Sequence, residues 1–560
     1  MPRPCPPLQR PERHLVVAAW LAALVVLDPR GAFPLNDDWS YAIAVQRLIE
    51  GGGFHPTGWT SMPLLTNVLW GALFSGRALS FEALRLSTVV AGAAGGYAAS
   101  ALVTGLGGGR RLAALVQAVF LFCPLTVALS VTFMTDLPYA ALELWAVVLL
   151  LKYLRDGSER AFWGGAGLAL AATLSRQTGL AVPLAFGLVL MAQRGVTFQN
   201  AWRAAAPLAL SVSGLVGVQR WLSATGRMPE MYAGKVEATA ARLLSVSGAS
   251  QVAGNVHGVL LTAGVLLAPL LIVTGVTLWR RDKARGWWGG AGAAVAALSA
   301  ARVLGGGPWR LPLLGNTLVD TGIGPLTLVD AFVLDVGVIS PLPAAWWAAA
   351  TAVGTAGAVV LLAALAPLAL RRPRTWSGGE AAAAFLVLAA AATLTPLLPG
   401  DFFDRYLIAT LPLVAGALVA LVRPAWPAGG PASGALLVLL ALGAFGVTGT
   451  HDYLAWNRTR WAVLDQAARE APEAWARMDG GVEFNGLHRY DPSETRRPGE
   501  SWWARGGADV VTFGPLPGYT VVQERSYRSW LPPGVRRVYW LRQTEPRQRR
   551  PRVSKDRGPK

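Results

Sequence analysis

The chain has 560 residues, 53% of them hydrophobic and only 15% charged, where an ordinary soluble domain carries about 25% charged residues. That composition excludes disorder, a coiled coil and a single soluble globule, and the two cysteines, Cys5 and Cys123, exclude a disulfide framework or a Cys-rich metal site. The formal net charge of +18 is spread as short basic clusters between apolar blocks, with a basic tail after Arg542, which is how membrane topology is encoded rather than how nucleic acid is bound.

A crossing helix needs about 20 apolar residues. Blocks of this kind run over 14–33, 84–104, 112–132, 137–153, 161–175, 178–192, 204–222, 257–279, 287–304, 344–369, 380–398, 405–422 and 432–449, thirteen in all, the fifth and sixth being short. The first has no small-residue cleavage site and leads into DPRGAFPLND, so it is expected to be an uncleaved signal-anchor. The block 62–75 is too short to cross, and with Trp70 it reads as a helix lying at the interface. Charge supports this. With Arg3, Arg10 and Arg13 in the cytoplasm, the clusters at Arg110–Arg111, Lys152–Arg160, Arg194–Arg203, Arg280–Arg285, Arg371–Arg374 and Arg423 all fall on the cytoplasmic side. If 62–75 crossed, the sides would swap and the rule would fail along most of the chain.

The expected architecture is therefore an α-helical polytopic membrane protein with an external C-terminus. Residues 1–13 form a cytoplasmic tail, 14–449 a membrane domain with a long outer loop at 34–83, and 450–545 a small extracytoplasmic α/β domain. The strand-like runs in that last domain are Val510–Phe513, Tyr519–Val522 and Val538–Leu541, separated by Gly and Pro. The basic stretch 546–560 is expected to be disordered.

The residues that carry chemistry gather at the outer ends of the spans. In LNDDWSYAIAVQRLIEGG, Asp37 and Asp38 open an amphipathic helix just after the first span. Helix capping explains one aspartate but not two. In VTFMTDLPYAALELW, Asp136 stands among apolar residues at the end of the third span, as a turn residue or as a functional group facing the bundle. Glu143 lies two turns deeper on the same helix and is placed to pair with Arg176 or another cation. Arg176, in TLSRQTGLAVP, is a lone outer cation that breaks the positive-inside pattern. Its fork of donors suits a phosphate, although snorkelling is the bland alternative. PGDFFDRYLIATLPL brings Asp401, Asp404, Arg405 and Tyr406 to the mouth of the twelfth span. His55 in the first outer loop and Asn316 in a turn-rich later loop are further pocket candidates. Asn457-Arg458-Thr459 matches a glycosylation acceptor pattern but reads as chance. No Walker A, HExxH or GxSxG pattern is convincing.

The ordered set resembles the GT-C superfamily of integral-membrane glycosyltransferases, in particular glycosyltransferase family 39, the protein O-mannosyltransferases and the lipid A aminoarabinose transferases. The likeness lies in an acidic pair after the first span (Asp37-Asp38), juxtamembrane helices at 38–50 and 62–75, and a second acidic turn at Asp136. It continues in a later outer basic turn (Arg176), an Arg-Tyr near the last spans (Arg405-Tyr406), and the stretch HDYLAWNRTRW…DGGVEFNG. One departure is Asp38, where many relatives have Glu. The resemblance implies an inverting transferase that moves a sugar from a polyprenyl-phosphate donor to an acceptor hydroxyl at the outer membrane face. The acceptor is a lipid, a glycan or a protein, and no nucleic acid is involved. Arg176, Arg405 and Tyr406 would bind the donor phosphate, and Asp37, with Asp38 as the alternative, would be the base. Asp136 would orient the acceptor, and if a divalent metal is present Asp37 and Asp136 would hold it. The rival readings are a transporter or flippase for an anionic lipid or sugar, and a non-catalytic scaffold.

Overall fold

The computed structural model describes residues 11–233, 246–281, 285–337, 339–369, 371–491, 503 and 507–544. Most of the expected N-terminal tail and all of the basic stretch 546–560 lie outside them. The first half is helical throughout: α1 (Pro11–Leu27), α2 (Asp38–Ile49), α3 (Leu65–Ser75), α4 (Phe81–Gly105), α5 (Arg110–Leu121), α6 (Pro124–Ser130), α7 (Asp136–Asp156), α8 (Glu159–Ser175), α9 (Ala181–Arg194) and α10 (Phe198–Ala224). After it come α11 (Val246–Leu266), α12 (Ala268–Arg280) and α13 (Arg285–Leu304), then a loop that holds the short hairpin β1 (Leu318–Val319) and β2 (Gly322–Ile323) and the turn α14 (Val329–Phe332). The bundle closes with α15 (Ala344–Ala369), α16 (Gly378–Leu394), α17 (Leu407–Val422) and α18 (Gly430–Glu470).

Polar residues start several of these helices. Ser80, Ser158 and Thr197 cap α4, α8 and α10, and Ser377 with Glu380 forms a reciprocal capping box on α16. Among the described residues, seven helices are long and apolar enough to cross a membrane, and two bent pairs raise this to nine. All thirteen expected blocks are helical, but α1 and α8 have 17 residues and α9 only 14. Two expected spans are broken. The block 112–132 bends by 57° between α5 and α6, and 257–279 bends by 86° between α11 and α12. Pro124 and Pro269 stand in the first turn of α6 and α12, where a proline lacks the N–H that would continue the preceding helix. The block 62–75 forms α3, whose 11 residues are too few to span, in keeping with an interfacial helix.

Helices α11 and α15 meet backbone to backbone: a Cβ on Gly264 would lie 2.2 Å from the Gly354 carbonyl oxygen. A larger residue at Gly264 must force these helices apart.

The C-terminal region is α/β. After α18 come α19 (Pro472–Arg477), β3 (Met478–Asp479), α20 (Val482–Arg489), β4 (Asp509–Thr512) and a long hairpin of β5 (Tyr519–Trp530) and β6 (Pro533–Gln543). The sheet order is β3-β4-β6-β5, with β3–β4 parallel and the other pairs antiparallel. All three expected strand runs are present, and the hairpin extends well beyond them through a largely polar stretch. Helix α18 runs 41 residues without a break, so the expected boundary at 449/450 falls inside one element. Its second half is polar enough to leave the lipid, yet Asp452, Asn457 and Arg460 on it are buried.

Two buried aspartates tie the C-terminal region to the bundle. Asp452 accepts from the Trp530 and Leu531 amides at 2.7 and 2.8 Å and from the Ser529 hydroxyl at 2.6 Å. Asp330 accepts from the Phe513 and Gly514 amides at 2.7 and 3.2 Å. Burial pushes the Asp330 carboxyl up to about 6. The folded chain thus keeps this proton over a pH range in which the unfolded chain has lost it. The Asp330 contribution to stability is full below the ordinary carboxylate value and declines as pH rises through about 6. Melting in detergent should show a fall in midpoint between about pH 4.5 and 6.5 that is shallower in Asp330→Asn. An unchanged slope in the variant would contradict this assignment.

Candidate active site

Four segments far apart in sequence meet at one end of the bundle: the entry to α2, the start of α7, the end of α8 and the turn before α17. Local chemistry fixes each one. Asp38, the first residue of α2, is buried, and its two oxygens accept from the Leu35 amide at 2.6 Å and the Phe133 amide at 3.1 Å. Burial raises its carboxyl to about 7. Asp38 therefore pins the loop after α1 to the turn before α7, and neither oxygen faces a solute.

Asp37 is different. It occupies the N-cap position of α2, but its side chain makes no cap bond. One oxygen accepts from the Trp59 indole N–H at 2.9 Å, and the other lies 3.6 Å from the Arg405 guanidinium. The Asp37 side chain is 23% exposed, whereas that of Arg405 is 6% exposed.

Arg405 is held in place by its neighbours. Asp404 is buried, with its carboxylate accepting from the Thr317 amide at 3.0 Å and the Leu318 amide at 2.5 Å, so it anchors the β1–β2 loop and leaves the chemistry to Arg405. The Arg405 guanidinium rests over Phe403 and Tyr406, at 5.2 and 5.6 Å from the ring centroids. Arg176 approaches the same Tyr406 ring at 5.2 Å and donates to Asp136 at 2.6 Å and to the Thr135 hydroxyl at 3.3 Å. Tyr406 is thus flanked by two guanidinium groups. The second Asp136 oxygen is buried and has no hydrogen-bond partner among the described residues. Asp136, Tyr139, Arg176, Thr393, Arg405 and Tyr406 all line a small cleft.

The structure thus brings together Asp37, Asp136, Arg176, Arg405 and Tyr406, with Asp38 behind them as an anchor. Asn316 stands at the rim: its side-chain oxygen accepts from the Asn36 amide group at 3.4 Å. Glu143 does not pair with Arg176, because Asp136 takes that cation; it accepts from the Thr393 hydroxyl at 3.2 Å, and its other oxygen is unpartnered among the described residues. His55 is not part of the cluster. It sits near Arg47 and Arg227, and burial with those two charges pushes its imidazolium pKa down. Asn457 is buried and bonded to the Tyr453 carbonyl and to Arg460, which agrees with a chance glycosylation match.

The residues do not fit a resident divalent metal. Asp37 and Asp136 are each paired with an arginine, and among the described residues no group of three His, Cys, Asp or Glu side chains could hold an ion.

Sequence reading missed three supports. Arg85 on α4 donates to the carbonyls of Pro29, Gly31 and Phe33 and so fixes the chain leaving α1. Trp59 orients Asp37. Glu483 on α20 and Arg460 on α18, both fully buried, form an ion pair at 2.7 Å. Two arginines, Arg458 and Arg460, set between Trp456 and Trp461 were the available signal for the last of these.

No family model matches the chain, and no curated protein matches it. Two solved structures are similar to it: the crystal structure of ArnT from Cupriavidus metallidurans bound to undecaprenyl phosphate, at 16% sequence identity and a TM-score of 0.38, and ArnT from the same organism in the apo state, at 15% and 0.36. In both cases the similarity covers 94% of this chain and 97% of the other. The chemistry assigned to this chain rests on its own side chains.

Proposed function

We propose that this protein is an inverting glycosyltransferase that moves a sugar from a polyprenyl-phosphate donor to an acceptor hydroxyl, with its site at the outer membrane face. The carrying observation is the convergence of Asp37 with Arg176, Arg405 and Tyr406 at one end of an apolar bundle. A lipid-linked phosphate suits that position, because its chain stays among apolar helices while the phosphate meets two guanidinium forks. In this reading the acceptor hydroxyl gives its proton to Asp37 as its oxygen attacks the anomeric carbon. The bond from that carbon to the phosphate oxygen breaks in line, and the lipid phosphate leaves as an anion. It needs no general acid, only the positive charge that Arg176 and Arg405 supply. Asp136 acts by holding Arg176.

The test uses the purified full chain in lipid nanodiscs with a panel of polyprenyl-phosphate sugars. The expected result is release of free polyprenyl phosphate and a product of inverted anomeric configuration. Movement of intact donor between leaflets of a proteoliposome, with no bond cleavage, would favour the flippase reading instead.

A further inference from the structure

The residue before Asp37 is held from the far end of the chain. The Asn36 amide donates at 3.0 Å to Glu483, the other oxygen of which accepts from Arg460 at 2.7 Å and the Thr327 hydroxyl at 2.6 Å. Glu483 and Arg460 are both 0% exposed. Arg460 also donates to Asn457 at 2.6 Å and packs over the Trp456 and Trp461 rings. Asn36 has a φ of +57°, in the left-handed region that asparagine enters more readily than most non-glycine residues. Around this bond α20 packs closely on α2. A Cβ on Gly486 would fall 2.3 Å from the Trp39 ring, and Trp39 also meets Tyr490 at 5.4 Å.

From this geometry we infer that Glu483 is a positioning residue, through which the C-terminal region holds Asn36 and so sets the Asp37 carboxylate against Arg405. The catalytic part of this inference rests on the glycosyltransfer reading; the structural part does not. Anchoring the sheet alone would not need a carboxylate aimed at residue 36, since Asp330 and Asp452 already fasten the strands to the bundle. A bond to the residue before the proposed base matters because a displacement of about 1 Å at a reacting group can cost about 100-fold in rate.

Removing Glu483 alone would strand the buried Arg460 charge and could unfold the region. Two paired variants avoid this. Glu483→Gln/Arg460→Met removes both charges but keeps an oxygen for the Asn36 amide; Glu483→Leu/Arg460→Met removes the charges and the acceptor. Hydrogen exchange is measured on the full chain in nanodiscs. In the Leu variant, exchange over residues 33–39 should rise at least about 10-fold, while the Gln variant stays near wild type and the β5–β6 hairpin is protected equally in all. Under the glycosyltransfer reading, kcat should fall about 10- to 100-fold in the Leu variant with donor KM within about twofold, and the Gln variant should recover most of it. Equal exchange over 33–39 in the two variants, or loss of protection spread over the whole C-terminal region, overturns the inference. So does an unchanged kcat in the Leu variant. If the wild-type chain turns over no sugar donor, the functional reading fails, and the exchange comparison still decides whether Glu483 holds the loop.

Discussion

Asp37→Asn should lower kcat for sugar transfer by about 100- to 10000-fold while leaving the fold intact, because the amide cannot take the acceptor proton. The side chain keeps its shape and can still accept from the Trp59 indole, so the loss is chemical rather than structural. Asp38→Asn should behave in the opposite way. Its two oxygens are both used by backbone amides, and an NH2 in place of one oxygen leaves a buried N–H facing another donor. That should cost about 1–3 kcal/mol of stability while the folded fraction keeps its turnover. Measuring initial rates and melting midpoints on the two single variants separates the roles. Full turnover in Asp37→Asn, or a rate loss in Asp38→Asn without loss of stability, would reverse the assignment within the pair.

The sequence made one side of this pair of roles legible and hid the other. Two adjacent aspartates after a span announce more than a cap, but residue type alone cannot say which one turns inward. The answer depends on the Leu35 and Phe133 amides, the second of which lies 95 residues away. The same limit applies to Arg176. Its breach of the charge pattern marked it from sequence, yet the carboxylate read as able to pair with it, or with another cation, was Glu143, on the helix that Asp136 opens. The fold takes Asp136, two turns nearer the helix end. Hydrophobic blocks marked where the long apolar helices of the described residues lie, but of these only seven, or nine with the bent pairs, are long and apolar enough to cross. They did not give the breaks at Pro124 and Pro269 full weight, because a proline in a first turn is compatible with either a new helix or a kinked one. The Glu483–Arg460 pair was only half marked, by arginine between Trp456 and Trp461: a buried ion pair has no spacing signature when its members sit on separate elements.

Arg405 and Arg176 should each be worth about 100- to 1000-fold in kcat/KM, as expected when a donor aimed at developing charge is removed. Arg405→Gln removes the charge and Arg405→Lys keeps it, so the pair of variants separates charge from fork geometry. Lysine is a point charge that cannot span Asp37 and a phosphate together, and it loses the flat contact with Tyr406. It should therefore recover only part of the loss. Asp136 is argued to act through Arg176, which makes a sharper demand. Asp136→Asn should weaken turnover by freeing the guanidinium, but Asp136→Asn combined with Arg176→Gln should fall no more than about threefold below Arg176→Gln alone, because the second change has nothing left to disturb. The free Asp136 oxygen offers a rival outcome: if it contacts the acceptor directly, the two losses multiply. Rates for the four proteins of that cycle, taken at saturating acceptor, decide whether Asp136 orients a cation or touches substrate.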